Sequence, residues 1–179
     1  MVVTFQRLQR FLPALFVCVV FAGPSFADTP GEVPIGGTLR DATLLGLNGP
    51  SRELHTYRGR PLLINVWASW CGPCRQEMAS LERLAWRDEK KYFAMIGIST
   101  DDYADRAKNL LLGTNATISH FIDHDLQMEH MLGASDLPLT VLVDADGRVL
   151  KRIYGAQQWD APDALRLIDD TFRSKAHPH

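Results

Sequence analysis

Cysteine is scarce in this sequence: three residues among 179, at positions 18, 71 and 74. That is too few for a disulfide-stapled scaffold or a four-cysteine zinc module. A basic excess is missing as well. Nineteen lysines and arginines stand against 21 acids, a formal net charge of −2, which leaves no electrostatic footprint for nucleic acid. Helicase, zinc-finger and phosphate-loop spacings are absent. No period of 20–50 residues repeats, and no long linker divides the chain. What remains is an ordinary globular composition, 46% hydrophobic and 22% charged.

The first 27 residues differ from the rest. Arg7 and Arg10 come without an acid, Phe11 to Gly23 is apolar, and Ser25-Phe26-Ala27 ends the stretch with small residues at two spaced positions. This pattern reads as a secretory signal peptide cleaved after Ala27. The apolar run, about 13 residues, falls short of the roughly 20 that a spanning helix needs. Left uncleaved, the leader would anchor the chain at a membrane. Lipid attachment at Cys18 is disfavoured by Val17 before it. Cleavage leaves residues 28–179, with 17 basic and 21 acidic side chains and only Cys71 and Cys74. A bridge across three positions closes a loop too small to stabilise much. A domain of this length needs no staple either. The cysteine pair is therefore better explained by chemistry.

Asn48-Gly49 predicts a short hairpin, about 40–47 with 50–54, and 54–57 reads as a single turn. The runs 62–68 and 92–99 are short, apolar and read as buried strands. A helix is expected from Cys74 to about Glu89, with Met78, Leu81, Leu84 and Ala85 inward and Arg75, Glu82 and Arg83 outward. Further elements are a helix over 102–113 with Leu110 and Leu111 inward, a strand over 118–122 and a short helix over 125–132. Strands over 139–143 and 149–154 flank the turn Asp144-Ala145-Asp146-Gly147. Asp160 is expected to cap a last helix that has Pro162 near its start and Leu165, Leu167 and Ile168 inward. The tail Ser174 to His179 reads as a frayed end. The order predicts an α/β fold: one central mixed sheet flanked by helices on both faces, with an N-terminal β-hairpin.

The run Trp67-Ala68-Ser69-Trp70-Cys71-Gly72-Pro73-Cys74 carries the chemistry. Cys71 falls at or just before a helix N-terminus, where unpaired N–H groups and the helix field favour its thiolate, the reacting species. Cys74 lies one turn along, within disulfide reach. Cys71 is thus the expected attacking thiol and Cys74 the resolving one. The competing reading is half of a zinc site. It would need two more ligands from His55, His120, His124, His130, His177 and His179. His120 and His124 have a usable spacing, yet two surface histidines beside a strand end explain them as well. From the residues alone Pro138 reads first as an ordinary trans proline at a strand start, with a cis bond as the alternative.

The stretch W-A-S-W-C-G-P-C-R-Q-E resembles the thioredoxin superfamily, and within it the secreted TlpA/ResA-like thiol–disulfide oxidoreductases. The likeness runs over roughly residues 36–175. It takes in the leading hairpin, Asn65–Trp67, Cys71–Glu77, Gly97–Ser99, Leu137-Pro138, the Asp144–Gly147 turn, and Gly155 with Trp159. It implies a thioredoxin-like fold in which Pro138 is cis, faces the cysteine pair and acts with it. It also implies that the Leu137 backbone holds a substrate strand, while Trp70, Gly72 and Pro73 contact the partner. Trp67, three residues from Trp70, is expected in the core. The buried acid of cytosolic thioredoxin maps to Asn65, which cannot titrate. The branch instead places an acid three residues after the second cysteine, here Glu77. A carboxylate there would disfavour thiolates and could carry a proton. Members dedicated to cytochrome c maturation often carry Gly-Ala-Pro-Glu around the cis proline. This chain has Asp136-Leu137-Pro138-Leu139, which counts against a dedicated role.

The expected function is a thiol–disulfide oxidoreductase that reduces disulfides in periplasmic proteins, with cytochrome c maturation as one setting. Its partners are disulfide-containing exported proteins and a membrane electron donor, with no nucleic acid. It is expected to act as a monomer. Its redox group is the Cys71–Cys74 pair, with no other cofactor and no metal. Two alternatives stand beside this one: a dithiol oxidase that forms disulfides in exported proteins, and a redox-inactive binding or chaperone module.

Overall fold

A computed structural model describes residues 30–87 and 92–174. The signal-peptide reading of residues 1–27, Cys18 and the terminal His177 and His179 lie outside these.

The three runs of branched and apolar residues form the middle of the sheet. They are β3 (Leu62–Trp67), β4 (Ala94–Ser99) and β6 (Leu139–Val143). Every residue of β3 and of β6 is buried, as a strand covered on both faces requires. The other strands are β1 (Thr43–Gly46), β2 (Arg52–Glu53), β5 (Ser119–Ile122) and β7 (Val149–Tyr154). The seven-stranded sheet runs β2-β1-β5-β4-β3-β6-β7. The pairs β3/β4 and β4/β5 are parallel; β3/β6, β6/β7, β1/β5 and β1/β2 are antiparallel. The mixed sheet is the predicted one. The leading hairpin is shorter than expected, with β2 only two residues long. The single turn over 54–57 is a 3-10 helix.

Alternation along β3 separates two layers. Leu62, Ile64 and Val66 join Leu44, Ile96, Phe121, Met131 and Val141 on one face, under α3 (Gln127–Leu132) and the segment before β1. On the other face Leu63 packs with Leu81 and Leu84 of α1 (Gly72–Ala85) and with Ile168 and Phe172 of α4 (Pro162–Arg173). Trp67 packs with Met78 of α1 and with Ala107 and Leu111 of α2 (Ala104–Thr114). Helix α1 ends at Ala85 with Trp86 as its C-cap, short of the expected Glu89, which lies outside the described residues. Asp160 does not cap α4. The N-cap is Ala161, whose side chain makes no capping bond, because the Asp160 carboxylate is engaged by Arg83 Nε at 2.6 Å.

The turn between β6 and β7 shows why its aspartate is there. Asp144 Oδ1 accepts from the N–H of Asp146 at 3.0 Å and of Arg148 at 2.8 Å, and Gly147 takes the left-handed φ of 84° that closes it. Among the described residues no helix is long and apolar enough to cross a membrane.

Candidate active site

The cysteines sit where β3 gives way to α1. Cys71 is the N-cap of α1, in extended conformation, and the helix begins at Gly72 with a proline in its first turn. The missing N–H of Pro73 costs nothing there. Cys71 and Cys74 form a disulfide, with S–S 2.03 Å and Cα–Cα 5.3 Å. The Cys74 N–H donates to Cys71 Sγ at 3.2 Å, so an N-terminal amide of the helix is already directed at the sulfur that would carry the anion. Cys71 is 5% exposed and Cys74 fully buried, an asymmetry that leaves Cys71 the reachable sulfur.

Trp70 stands outward at 65% exposure, whereas Trp67 is wholly buried. Gly72 is half-buried and Pro73 exposed. Across the site the Leu137–Pro138 peptide is cis. Leu137 is half-buried and packs against the cluster that contains both cysteines, Trp67 and Met78, so β6 begins beside the disulfide.

Glu77 is 1% exposed, not a solvated acid of the first turn. Its Oε1 accepts from Asn65 Nδ2 at 2.7 Å. Its Oε2 accepts from the Gln157 N–H and from Trp159 Nε1, both at 3.0 Å. Asn65 Nδ2 also donates to Thr140 Oγ1 at 3.1 Å, which joins β3, β6 and α1 beneath the cysteines. Burial pushes the Glu77 carboxyl above its ordinary range, and the three hydrogen bonds oppose that only in part. Such a group can exchange a proton at higher pH than an exposed glutamate. Thr140 and Gln157 went unread in the sequence. Gln157 acts through its backbone, which leaves no side-chain signal to find.

His120 corrects the reading of two surface histidines. It is 4% exposed, and its Nδ1 accepts from Trp67 Nε1 at 3.1 Å with the rings edge to face. Burial pushes its pKa down to about 4, so the ring is neutral. Only glycine fits at position 97 between them: a Cβ there would lie 2.1 Å from His120 Nδ1 and 3.0 Å from Trp67 Nε1. His124 is exposed, as expected.

Asp101, also unread in the sequence, is 2% exposed just past β4. Its carboxylate accepts from Ser69 Oγ at 2.5 Å, from the Ser69 N–H at 2.8 Å and from Ser99 Oγ at 2.8 Å. Arg75 is exposed but not idle: its NH1 donates to the Ser69 carbonyl at 2.7 Å. Among the described residues, the one grouping with metal-ligand geometry is surface Asp41, Glu53 and His55, which includes neither cysteine.

A disulfide whose outer sulfur caps a helix, with a resolving cysteine buried one turn in, is equipped for thiol–disulfide exchange. Comparison with known proteins points the same way. The redoxin family model matches residues 34–168. ResA, a thiol-disulfide oxidoreductase of Geobacillus thermodenitrificans, is 29% identical over 131 residues, covering 73% of this chain and 75% of that protein. DsbE, a thiol:disulfide interchange protein of Vibrio cholerae, is 32% identical over 152 residues, covering 79% and 80%. The thioredoxin domain of a thiol-disulfide oxidoreductase from Bacteroides vulgatus superposes with a TM-score of 0.64 at 20% identity, covering 77% of this chain and 97% of that one, a likeness of fold. With this cysteine pair as its redox group, the chain belongs to the redoxin family of the thioredoxin superfamily and is a thiol–disulfide oxidoreductase of the ResA/DsbE kind.

Proposed function

We propose that the enzyme is exported by its leader and reduces disulfides of periplasmic proteins, those of apocytochrome c among them, drawing electrons from a membrane donor. The observation that carries the reading is Cys71 as the N-cap of α1, with the Cys74 N–H on its sulfur. In the reduced enzyme that amide and the helix field stabilise the Cys71 thiolate. The thiolate attacks one sulfur of the substrate disulfide, and the other substrate sulfur leaves and takes up a proton. Cys74 then loses its proton and attacks Cys71 Sγ, which restores the Cys71–Cys74 disulfide and frees the second substrate thiol. Two electrons pass from enzyme to substrate.

Glu77, one turn past Cys74, is the group proposed to take the Cys74 proton; its raised pKa suits that task. Leu137 and Pro138 hold the substrate backbone, and Trp70, Gly72 and Pro73 meet its side chains. Gly72-Pro73 between the cysteines places no cation beside Cys71. An added cation would stabilise the thiolate and make the disulfide more oxidising. Its absence from this dipeptide supports reduction over oxidation.

Cys74→Ser should accumulate mixed disulfides between Cys71 and exported proteins, and Cys71→Ser should abolish turnover. Equilibration with glutathione should place the potential nearer thioredoxin's, about −270 mV, than the oxidant DsbA's, about −120 mV. A value at the second figure would reverse the direction of the reaction.

A further inference from the structure

We propose that Asp101 is a positioning residue for substrate recognition: it fixes Ser69, and through Ser69 it holds Trp70 as a rigid docking contact beside the disulfide. This rests on the reading above, in which Cys71 attacks a polypeptide disulfide and Trp70 meets that polypeptide.

A carboxylate only 2% exposed has given up its water, and at this position it is satisfied by the loop that leads into the cysteines. Both the N–H and the hydroxyl of Ser69 donate to it. Ser99 Oγ supplies a third bond and ties the carboxylate to the end of β4; the Asp101 N–H returns one to Ser99 Oγ at 3.2 Å. The remaining polar group of Ser69, its carbonyl, is held by Arg75 from α1. Ser69 is thus gripped by the sheet on one side and by the active-site helix on the other. On either side of it the backbone is also pinned, by Thr100 N–H on the Trp67 carbonyl at 3.0 Å and Cys71 N–H on the Ala68 carbonyl at 3.1 Å.

Trp70 is the next residue, and it is 65% exposed. A large aromatic surface on a mobile stem loses entropy when a partner docks, whereas one on a fixed stem has little left to lose. The partner this suits is a polypeptide with an apolar or aromatic side chain next to its disulfide. The nucleophile is set separately, by the N-terminus of α1. Loosening Ser69 should therefore weaken docking more than exchange.

The test is steady-state reduction of insulin disulfides by Asp101→Asn, Ser69→Ala and Ser69→Thr, with Cys71→Ser alongside. An asparagine has one acceptor oxygen and turns an amide toward the donors. Asp101→Asn and Ser69→Ala should raise KM by about tenfold with kcat changed less than about twofold, the size expected from releasing one or two ordered side chains. The double variant should be no worse than the poorer single one. Ser69→Thr, which keeps the hydroxyl, should restore KM. If Asp101→Asn does not fold, the Ser69→Ala and Ser69→Thr pair decides alone. Wild-type KM in Ser69→Ala, or a fall in kcat at constant KM, would overturn the inference while an inactive Cys71→Ser leaves the exchange mechanism standing. Turnover by Cys71→Ser would remove the mechanism itself, and this inference with it.

Discussion

Glu77 and His120 are both buried, and burial moves their pKa values in opposite directions, up for the carboxyl and down for the imidazole. For Glu77 the pH dependence has a definite sign. Its folded pKa lies above its ordinary value of 4.5, so between these two values the folded chain holds the proton more tightly than the unfolded one. Stability contributed by this group falls as pH rises through that window and stays lower above it. Glu77→Gln cannot titrate. Its stability relative to wild type should therefore improve as pH rises from about 4.5, in chemical denaturation at a series of pH values. The same substitution should lower the titration midpoint of Cys71 in the reduced enzyme, because a carboxylate near the thiols opposes a second anion. An unchanged thiol titration would reduce Glu77 to a structural role. Neither set of partners was legible in the residues alone. Glu77 lies four and seven positions before Leu81 and Leu84, so a helical wheel places it within the apolar stripe. The groups that satisfy its carboxylate there come from 12, 80 and 82 positions away, and His120 pairs with an indole 53 positions away.

Among the elements, legibility tracked how local the causes are. Strands β6 and β7 matched their predicted bounds because an apolar run, an aspartate turn and a glycine lie within sixteen consecutive residues. Helix α4 began where Pro162 predicted, yet its cap was misread, since the Asp160 carboxylate is drawn 77 positions back to Arg83. That exchange leaves a correctable defect. Ala161 has the extended conformation of an N-cap, φ −75° and ψ 151°, but no side-chain oxygen to accept from the first turn. Ala161→Ser should supply one and stabilise the protein by about 1 kcal/mol, seen as a higher Tm by a few degrees. No gain would mean that the first-turn amides are already well satisfied by water.

Across the whole molecule, the sheet edges are managed by different means. On one side β2 is two residues long. On the other, the chain before β1 covers the start of β7: Gly36 N–H donates to the Val149 carbonyl at 2.7 Å, and Val149 N–H donates to the Gly37 carbonyl at 2.9 Å. Both devices limit edge-to-edge pairing with other chains. The covering segment is held by Arg152, which makes a 3.0 Å ion pair with Glu32, donates through Nε to the Leu132 carbonyl at 2.7 Å, and bonds the Val33 carbonyl through NH2. Both partners of the pair are largely buried, at 9% and 14% side-chain exposure. Arg152→Ala removes a largely buried ion pair and the donor to two carbonyls, so it should cost about 3 kcal/mol in denaturant unfolding. Loss of less than about 1 kcal/mol would show that Glu32 and the two carbonyls rehydrate freely.

The carboxylate beneath the cysteines has a consequence for how the enzyme comes into being. Glu77 leaves the ribosome three residues after Cys74, but the amide of Gln157 and the indole of Trp159 that hold it follow 80 and 82 residues later. A nascent chain therefore carries both thiols well before the bonds that hold this carboxylate can form. On the proton-carrying role proposed for Glu77, the finished chemistry arrives late, when the segment before α4 reaches the site, and a chain truncated before Gln157 would keep the cysteine motif without it.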